Sequence, residues 1–359
     1  MKRLTILSIL GCLLTAILCL PLAASAKGGY KSVSLGDDYV MILKEDGTLW
    51  GWGTANRFGQ LGDGTTTKRT RPVKILDGVR QVSAVGNHTM AILNDGTLWG
   101  WGENGFMLGD STATNRTRPV KILDGVKQVS AGDFHTMVIL NDGTLWGWGL
   151  FNCYGSLGDG TYDSRYRPVK ILDGVKQVSA GLFYTMAILN DGTLWGWGYN
   201  KYGQLGDGTT TNRHRPVKIL DGVKQVAAGY GYTMAILNDG SLWGWGNNYG
   251  SLGDGTTTDR HRPVKILDGV KQVSTGRSHT MAILNDGSLW GWGDNDQGQL
   301  GDGTTTNRHR PVKIADNVRD VDCGLSHTIY ITEDGELMEC GKLLLESDWI
   351  LSPQSASIM

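Results

Sequence analysis

The chain has 359 residues, with 34 Lys and Arg against 35 Asp and Glu, 53 Gly, 13 Trp and only 8 Pro, and 40% of it is hydrophobic. Abundant glycine without a collagen period, beside a charged fraction of 19%, excludes a disordered chain and a nucleic-acid binder driven by charge. What remains is a turn-rich globular protein large enough for one extensive core or two ordinary ones.

Lys2 and Arg3 precede an apolar run from Leu4 to Leu22 that ends in Ala24-Ser25-Ala26. This is the layout of a secretory signal cleaved after Ala26, and it predicts an exported protein, secreted or held in the cell envelope. The 23 residues from Leu4 to Ala26 could also serve as a retained anchor, but Pro21 and the small-residue site favour cleavage, which leaves no membrane span. Residues 27–359 then carry 32 Lys and Arg against 35 acids, a net −3, with no field for steering onto DNA or an acidic membrane. Cys153, Cys323 and Cys340 remain. An odd number gives no complete disulfide framework. Cys323 and Cys340 are expected on strands separated by a third, about two strand spacings apart and beyond disulfide reach. All three are predicted to be free, buried thiols.

Self-similarity with a period of 47 to 49 residues dominates the rest. Leu-Trp-Gly-Trp-Gly begins at Leu49, Leu98, Leu145, Leu194, Leu242 and Leu289, and an eroded seventh copy at Leu337 has Met338 and Cys340 at the tryptophan positions. Each unit reads as four short strands. In the third unit these start at Val129 and run over His135 to Leu140, Leu145 to Gly149 and Pro168 to Ile171, with Asn141-Asp142-Gly143 as a hairpin turn. Four strands per unit and no helical period predict an all-β fold, a seven-bladed β-propeller built from seven repeats of about 48 residues. It would span residues 27–341, with 342–359 as a C-terminal tail.

Strand alternation puts both tryptophans of a unit on one face and leucine with both glycines on the other, so the bulky face of one blade can pack on bare backbone of the next. The fourth strand, Arg-Pro-Val-Lys-Ile from Arg71, Arg118, Arg167, Arg215, Arg262 and Arg310, carries the proline and lysine of a protected edge and belongs at the rim. The seventh unit lacks this strand, so either the tail from Leu343 to Ser352 supplies it or the last blade has three strands. A second Asp-Gly per unit, as in Leu123-Asp124-Gly125-Val126, is either the crossing to the next blade or another hairpin.

Gly-Gln-Leu-Gly-Asp-Gly at 59–64, 203–208 and 298–303, together with the recurring Val-Ser-Xaa-Gly-Xaa-Xaa-His-Thr-Met-Ala-Ile and Asp-Gly-Xaa-Leu-Trp-Gly-Trp-Gly strings, resembles the regulator-of-chromosome-condensation repeat family over residues 30–341. The resemblance implies a seven-bladed propeller that works through protein contacts. Some relatives exchange guanine nucleotide on a small GTPase, and a secreted relative inhibits β-lactamases. The exchange factors insert a wedge-like excursion from one blade, whereas the spacing here is regular throughout.

The sequence holds no HExxH, CxxC, Walker or GxSxG motif, and no metal site, cofactor or catalytic set is expected. His88, His135, His279 and His327 share a repeat position with Tyr39, Tyr184 and Tyr232, which reads as a structural hydrogen-bonding position. His214, His261 and His309 read as surface loop residues. The Asp-Gly-Thr turns lack the serial oxygen ligands of a calcium loop and are read as turns. Arg213/Arg215 and Arg260/Arg262 could form an anion-binding band, but nearby aspartates favour solvated rim pairs.

The units differ mainly in two loops, between strands one and two and after Trp-Gly, which leave from the same end of the blades. Variation among repeats usually maps to a binding face. That face would carry Phe58, Phe106, Phe134, Phe151, Tyr154, Phe183, Tyr199, Tyr202, Tyr230 and Tyr249, residue types enriched at interfaces. The expected function is a monomeric, non-enzymatic interaction propeller for a protein or glycan, with no nucleic acid partner. The alternative is a regulator, either an exchange factor for a small GTPase or a secreted enzyme inhibitor.

Overall fold

The computed structural model describes residues 29–342 together with the backbone of two short strands, Ile17–Leu18 and Leu20–Pro21. Seven four-stranded antiparallel sheets follow one another as blades of a propeller. Blade 4 shows the plan, running from an inner strand Val175–Ala180 through Tyr184–Leu189 and Leu194–Gly198 to an outer strand Arg213–Leu220. In blade 3 the second and third strands lie where the repeat pattern puts them. The inner strand starts earlier, at Val126, and the outer strand is longer, Arg165–Leu172. The second Asp-Gly is the crossing between blades. Leu123 ends the outer strand of blade 2, Val126 opens the inner strand of blade 3, and Gly125 takes the left-handed φ of 69° that the corner requires.

The last blade is completed by the N-terminal segment. Leu20–Pro21 pairs antiparallel with Glu339 and Met338 and forms its outer strand, while the tail from 343 lies outside the described residues. The cysteine expectation needs correction here. Cys323 is free and buried and Cys153 is free but exposed, because it sits in a short surface turn at Asn152–Tyr154. Cys340 is disulfide-bonded. With the other two free, its partner lies outside the described residues.

Cores form at the seams between blades rather than inside them. Tyr39, Met41, Leu43, Leu49 and Leu61 of blade 1 pack on Val79, Ala84, Ala91 and Trp101 of blade 2, and the arrangement repeats around the ring to Ile329, Ile331 and Leu337 against Val33, Ile42 and Trp52. This is the large-on-small fit read from the sequence, with one refinement. The strand glycines are filled by methionine of the same blade, as Met41 pairs with Gly51 and leaves no room for a Cβ there, and a loop glycine receives the indole.

Hydrogen bonds tie the inner strands together around the channel. Gln128 Nε2 donates to the Val178 carbonyl at 3.2 Å, and Ser130 Oγ accepts the Ala180 N–H at 2.9 Å. Blade 7 makes the same links to blade 1 with carboxylates, Asp320 accepting from Val33 N and Asp322 from Leu35 N at 2.9 Å. Burial raises both carboxyls, that of Asp322 to about 6.

At the recurrent His or Tyr position the three tyrosines, His135 and His279 hydrogen-bond across the seam as expected, whereas the His88 and His327 rings are buried without a hydrogen-bond partner. Tyr39 and Tyr232 hydroxyls donate to the His88 and His279 carbonyls of the next blade at 2.6 Å, and His135 Nε2 meets Thr185 Oγ1 at 2.8 Å. Burial holds the four histidines neutral, lowering His88 and His279 to about 4 and His135 and His327 to about 3. A base depressed in the folded state stabilises above its unfolded value of 6.5, and that contribution is lost as pH falls toward the folded value. Each histidine therefore costs about 1.4 kcal/mol per pH unit below 6.5. His135→Tyr, which copies the solution used at Tyr184, is expected to lessen the loss of stability between pH 7 and pH 5 by about 2 kcal/mol. Urea unfolding of both proteins at the two pH values checks this, and equal losses would contradict it.

Candidate interaction face

The two variable loops of each unit do emerge on one face, as contacts between their side chains show. Phe134 of the first loop of blade 3 lies 5.2 Å, edge to face, from Phe151 of the second. It also stacks on Phe183 of blade 4 at 4.8 Å with an interplanar angle of 5°. Tyr154 then packs against Phe183 at 5.3 Å and Tyr199 at 4.6 Å, and Tyr199 against Tyr202 at 6.2 Å. Six of the expected side chains thus form one chain of rings across blades 3 and 4. It opens into a groove of about 400 Å³ bordered also by Tyr230, Tyr249, Asn247 and Arg277.

Phe58 and Phe106 stand apart from that chain. Phe58 lies under the Arg57 guanidinium at 4.4 Å. Phe106 is turned toward the rim by Tyr166, whose ring is 4.2 Å away. The outer strand of blade 3 places Tyr166 where blade 2 has Thr117 and blade 4 has His214, and this substitution captures the phenylalanine.

The second loop is held by a side chain that the sequence reading did not single out. Asn200 is buried; its Oδ1 accepts the Leu205 N–H at 3.0 Å, and its Nδ2 donates to Asp207 Oδ1 and the Thr211 carbonyl, both at 3.1 Å. Asp207 also pairs with Arg213 at 2.6 Å. Asn56, Asn104, Asn152, Asn248 and Asn295 occupy the same buried place in the other loops. Each loop is therefore a fixed frame that presents the residue just beyond its asparagine, such as Phe58, Tyr154 or Tyr202. A recurrent Asn two or three residues after Trp-Gly was the available signal. Phe106 and Phe151 also take left-handed φ values of 70° and 60°, a conformation costing about 1 to 2 kcal/mol for a non-glycine residue, and Phe151 is 50% exposed. Strain and exposure of this kind cluster at binding sites.

The rim pairs are partly as expected. Arg213 and Arg260 pair with Asp207 and Asp254 at 2.6 Å. Arg215 and Arg262 do not; their guanidinium groups cover Gly160 and Gly208 of the preceding blade, where a Cβ would lie about 2.5 Å away. His214, His261 and His309 begin the outer strands rather than sitting in loops, and lie on the preceding blade's Gly155, Gly203 and Gly250.

The channel mouth on this face is a cavity of about 90 Å³ bordered by Asp37, Asp133, Tyr230 and Arg277. Burial, with the nearby Asp37 carboxylate second, raises Asp133 to about 7. Arg277 lies over the Tyr230 ring at 5.3 Å. Among the described residues, no group of three or more His, Cys, Asp and Glu could hold a metal, and no helix is long and apolar enough to cross a membrane.

Comparison with known proteins fits this architecture. The RCC1-like domain profile matches residues 19–267, and regulator of chromosome condensation (RCC1) repeats match 286–331 and 270–299. No curated protein matches by sequence. Human WBSCR16 is 24% identical, with a TM-score of 0.76 over 88% of this chain and 87% of that one. Prp20p from Saccharomyces cerevisiae, described with its binding to Gsp1p and histones, is 21% identical, with a TM-score of 0.73 over 89% and 84%. Yeast RCC1 (Prp20) in complex with Kap60 is 20% identical, with a TM-score of 0.71 over 89% and 82%.

Asn200→Ala removes an amide whose partners stay buried, and it should cost about 2 to 3 kcal/mol. Fluorescence-detected unfolding measures the cost; less than about 0.5 kcal/mol would contradict the role assigned to the asparagine.

Proposed function

The chain belongs to the family of RCC1-like domains, and on that footing we propose that it is a non-enzymatic propeller whose aromatic loop face binds another protein. One observation carries the reading. In a ring of nearly identical units, the residues that differ converge in a continuous run of rings from Phe151 to Tyr202, beside a groove of about 400 Å³. Rigid aromatic side chains bury large area at low entropic cost, and arginine beside them, here Arg277, completes the usual composition of an interface centre. The partners named for Prp20p, namely Gsp1p, histones and Kap60, are proteins, which supports a protein over a glycan. The partner is reached outside the cytoplasm in this proposal, since residues 1–26 have the layout of a secretory signal.

The full chain and a variant carrying Phe134→Ala, Phe183→Ala, Tyr202→Ala and Tyr230→Ala should fold alike by circular dichroism. The wild type is expected to retain a protein partner in affinity capture, and the variant to bind it at least about a hundredfold more weakly. Equal capture by both proteins would sink the assignment. Export is checked by fractionation and N-terminal sequencing. An exported product beginning at Lys27 is expected, its last blade then left with the three strands Val318–Cys323, His327–Thr332 and Leu337–Gly341, and a cytoplasmic chain beginning at Met1, which keeps Leu20–Pro21 as the outer strand, would contradict it.

A further inference from the structure

The opposite face carries a different regularity. Each inner strand has a β-bulge after its first residue. In blade 3, Val126 pairs with Leu140 and Gln128 with Ile139, which leaves Lys127 outside the ladder. The same shift falls on Lys176, Lys224 and Lys271 in the three following blades, and on Lys31, Arg80 and Arg319 in blades 1, 2 and 7. All seven bulge residues are cationic. The first and last blades are the informative ones. Tyr30 and Ser32 in blade 1, and Asp320 and Asp322 in blade 7, replace the Val, Gln and Ser of the middle blades, yet Lys31 and Arg319 keep the charge.

The bulges lie where the inner strands begin, beside the Asn-Asp-Gly hairpins. The Val126 N–H, for instance, donates to the Gly96 carbonyl of the preceding hairpin at 2.9 Å. The cations therefore circle the channel mouth. They are neighbours around it, since the Arg80 guanidinium donates to the Val126 carbonyl beside Lys127, and Arg319 to the Tyr30 carbonyl beside Lys31. Lys127, Lys176, Lys224 and Lys271 are exposed. Among the described residues, no ion pair involves any of the seven.

Apart from Glu45 and Glu333, which take the asparagine position of the first and last hairpins, the hairpin and turn carboxylates on this face are engaged farther out. The turn aspartates pair with outer-strand lysines, as Asp173 does with Lys170 at 2.7 Å. The hairpin aspartates cap their own turns, Asp142 Oδ1 accepting from Thr144 N and Oγ1 at 2.9 and 2.7 Å, and the lysine acting on Asp142 is again the outer Lys170. Of the concentric charged rings on this face, only the innermost forms no ion pair among the described residues, the buried Asp320 beside Arg319 being the acid that acts on it. The potentials of like charges spaced around an axis add on that axis.

We propose that this ring is a binding site for a compact polyphosphate, seated on the channel axis at the hairpin face. Lysine supplies mobile point charges and arginine a planar fork, the pair of cations suited to phosphate oxygens. The polar channel behind the ring, about 470 Å³ and bordered by Ser83, Gln81, Gln225 and Gln272, leaves room for a hydrated anion, while Asp320 and Asp322 on its wall keep the anion at the mouth.

Inorganic tripolyphosphate titrated into the full chain by calorimetry tests the site. One-to-one binding is expected, weakening steeply as NaCl rises from about 50 to 200 mM. Lys127→Gln, Lys176→Gln, Lys224→Gln and Lys271→Gln together should loosen it at least about tenfold. Lys121→Gln, Lys170→Gln, Lys218→Gln and Lys265→Gln, which remove the same charge from the outer ring, should change it less than about twofold. These lysines are exposed or half-buried, so both variants should keep the wild-type melting profile. No binding at millimolar tripolyphosphate, or equal losses in the two variants, would overturn the proposal. So would attachment to anionic phospholipid vesicles that tripolyphosphate does not displace.

Discussion

In blades 2 to 6, the indole of the second tryptophan lies against a loop glycine of the preceding blade, and the ring depends on that contact. A Cβ at Gly62, Gly158 or Gly206 would lie 2.7, 2.6 or 2.7 Å from the indole nitrogen of Trp101, Trp197 or Trp245. The same indole nitrogens donate across the seam to the Gln60, Ser156 and Gln204 carbonyls at 2.9 Å. A threonine hydroxyl from the tryptophan's own blade, Thr89, Thr185 or Thr233, uses the second lone pair of that carbonyl. The largest side chain of one blade thereby fixes the long loop of its neighbour, and that loop carries Phe58, Tyr154 or Tyr202. Stability and site geometry share one contact.

The two faces follow from two ways of closing a turn. On the hairpin face, an aspartate caps the backbone two residues on and glycine takes the left-handed position, so little can vary without breaking the turn. On the loop face, the buried asparagine and the Asp–Arg pair hold the frame from within, leaving the presented residue free to change from Phe to Tyr to Gln. Duplicated units can therefore diverge on one side of the disc while the other keeps repeated charges.

Much of this was legible in the sequence because it is local. Strand alternation, the Asn-Asp-Gly turns and the Trp/Gly complement each follow from a few adjacent residues, and the 48-residue period multiplies the signal. The gathering of Phe134, Phe151, Tyr154, Phe183, Tyr199 and Tyr202 was legible too, since blade topology alone decides which loops are neighbours. What escaped depends on contacts between distant positions. Phe106 leaves the cluster because of Tyr166 on another blade. The outer strand of blade 7 comes from Leu20–Pro21, two residues without any repeat pattern. The Cys340 disulfide reaches outside the repeats, so counting cysteines within residues 27–359 could not find it. The inner cationic ring was hidden because a bulge, which strict alternation does not anticipate, sets where those side chains stand.

The seam is tested most directly by comparing two glycines that share a backbone conformation. Gly206 and Gly143 both have φ of 81°, but a Cβ on Gly206 would meet Trp245 at 2.7 Å, whereas one on Gly143 would meet nothing within 4 Å. Gly143→Ala should cost about 1 to 2 kcal/mol, the strain of a left-handed alanine. Gly206→Ala adds displacement of the indole and its hydrogen bond, and should cost at least about 4 kcal/mol in urea unfolding. Equal costs for the two substitutions would show that tryptophan-on-glycine packing does not hold the ring.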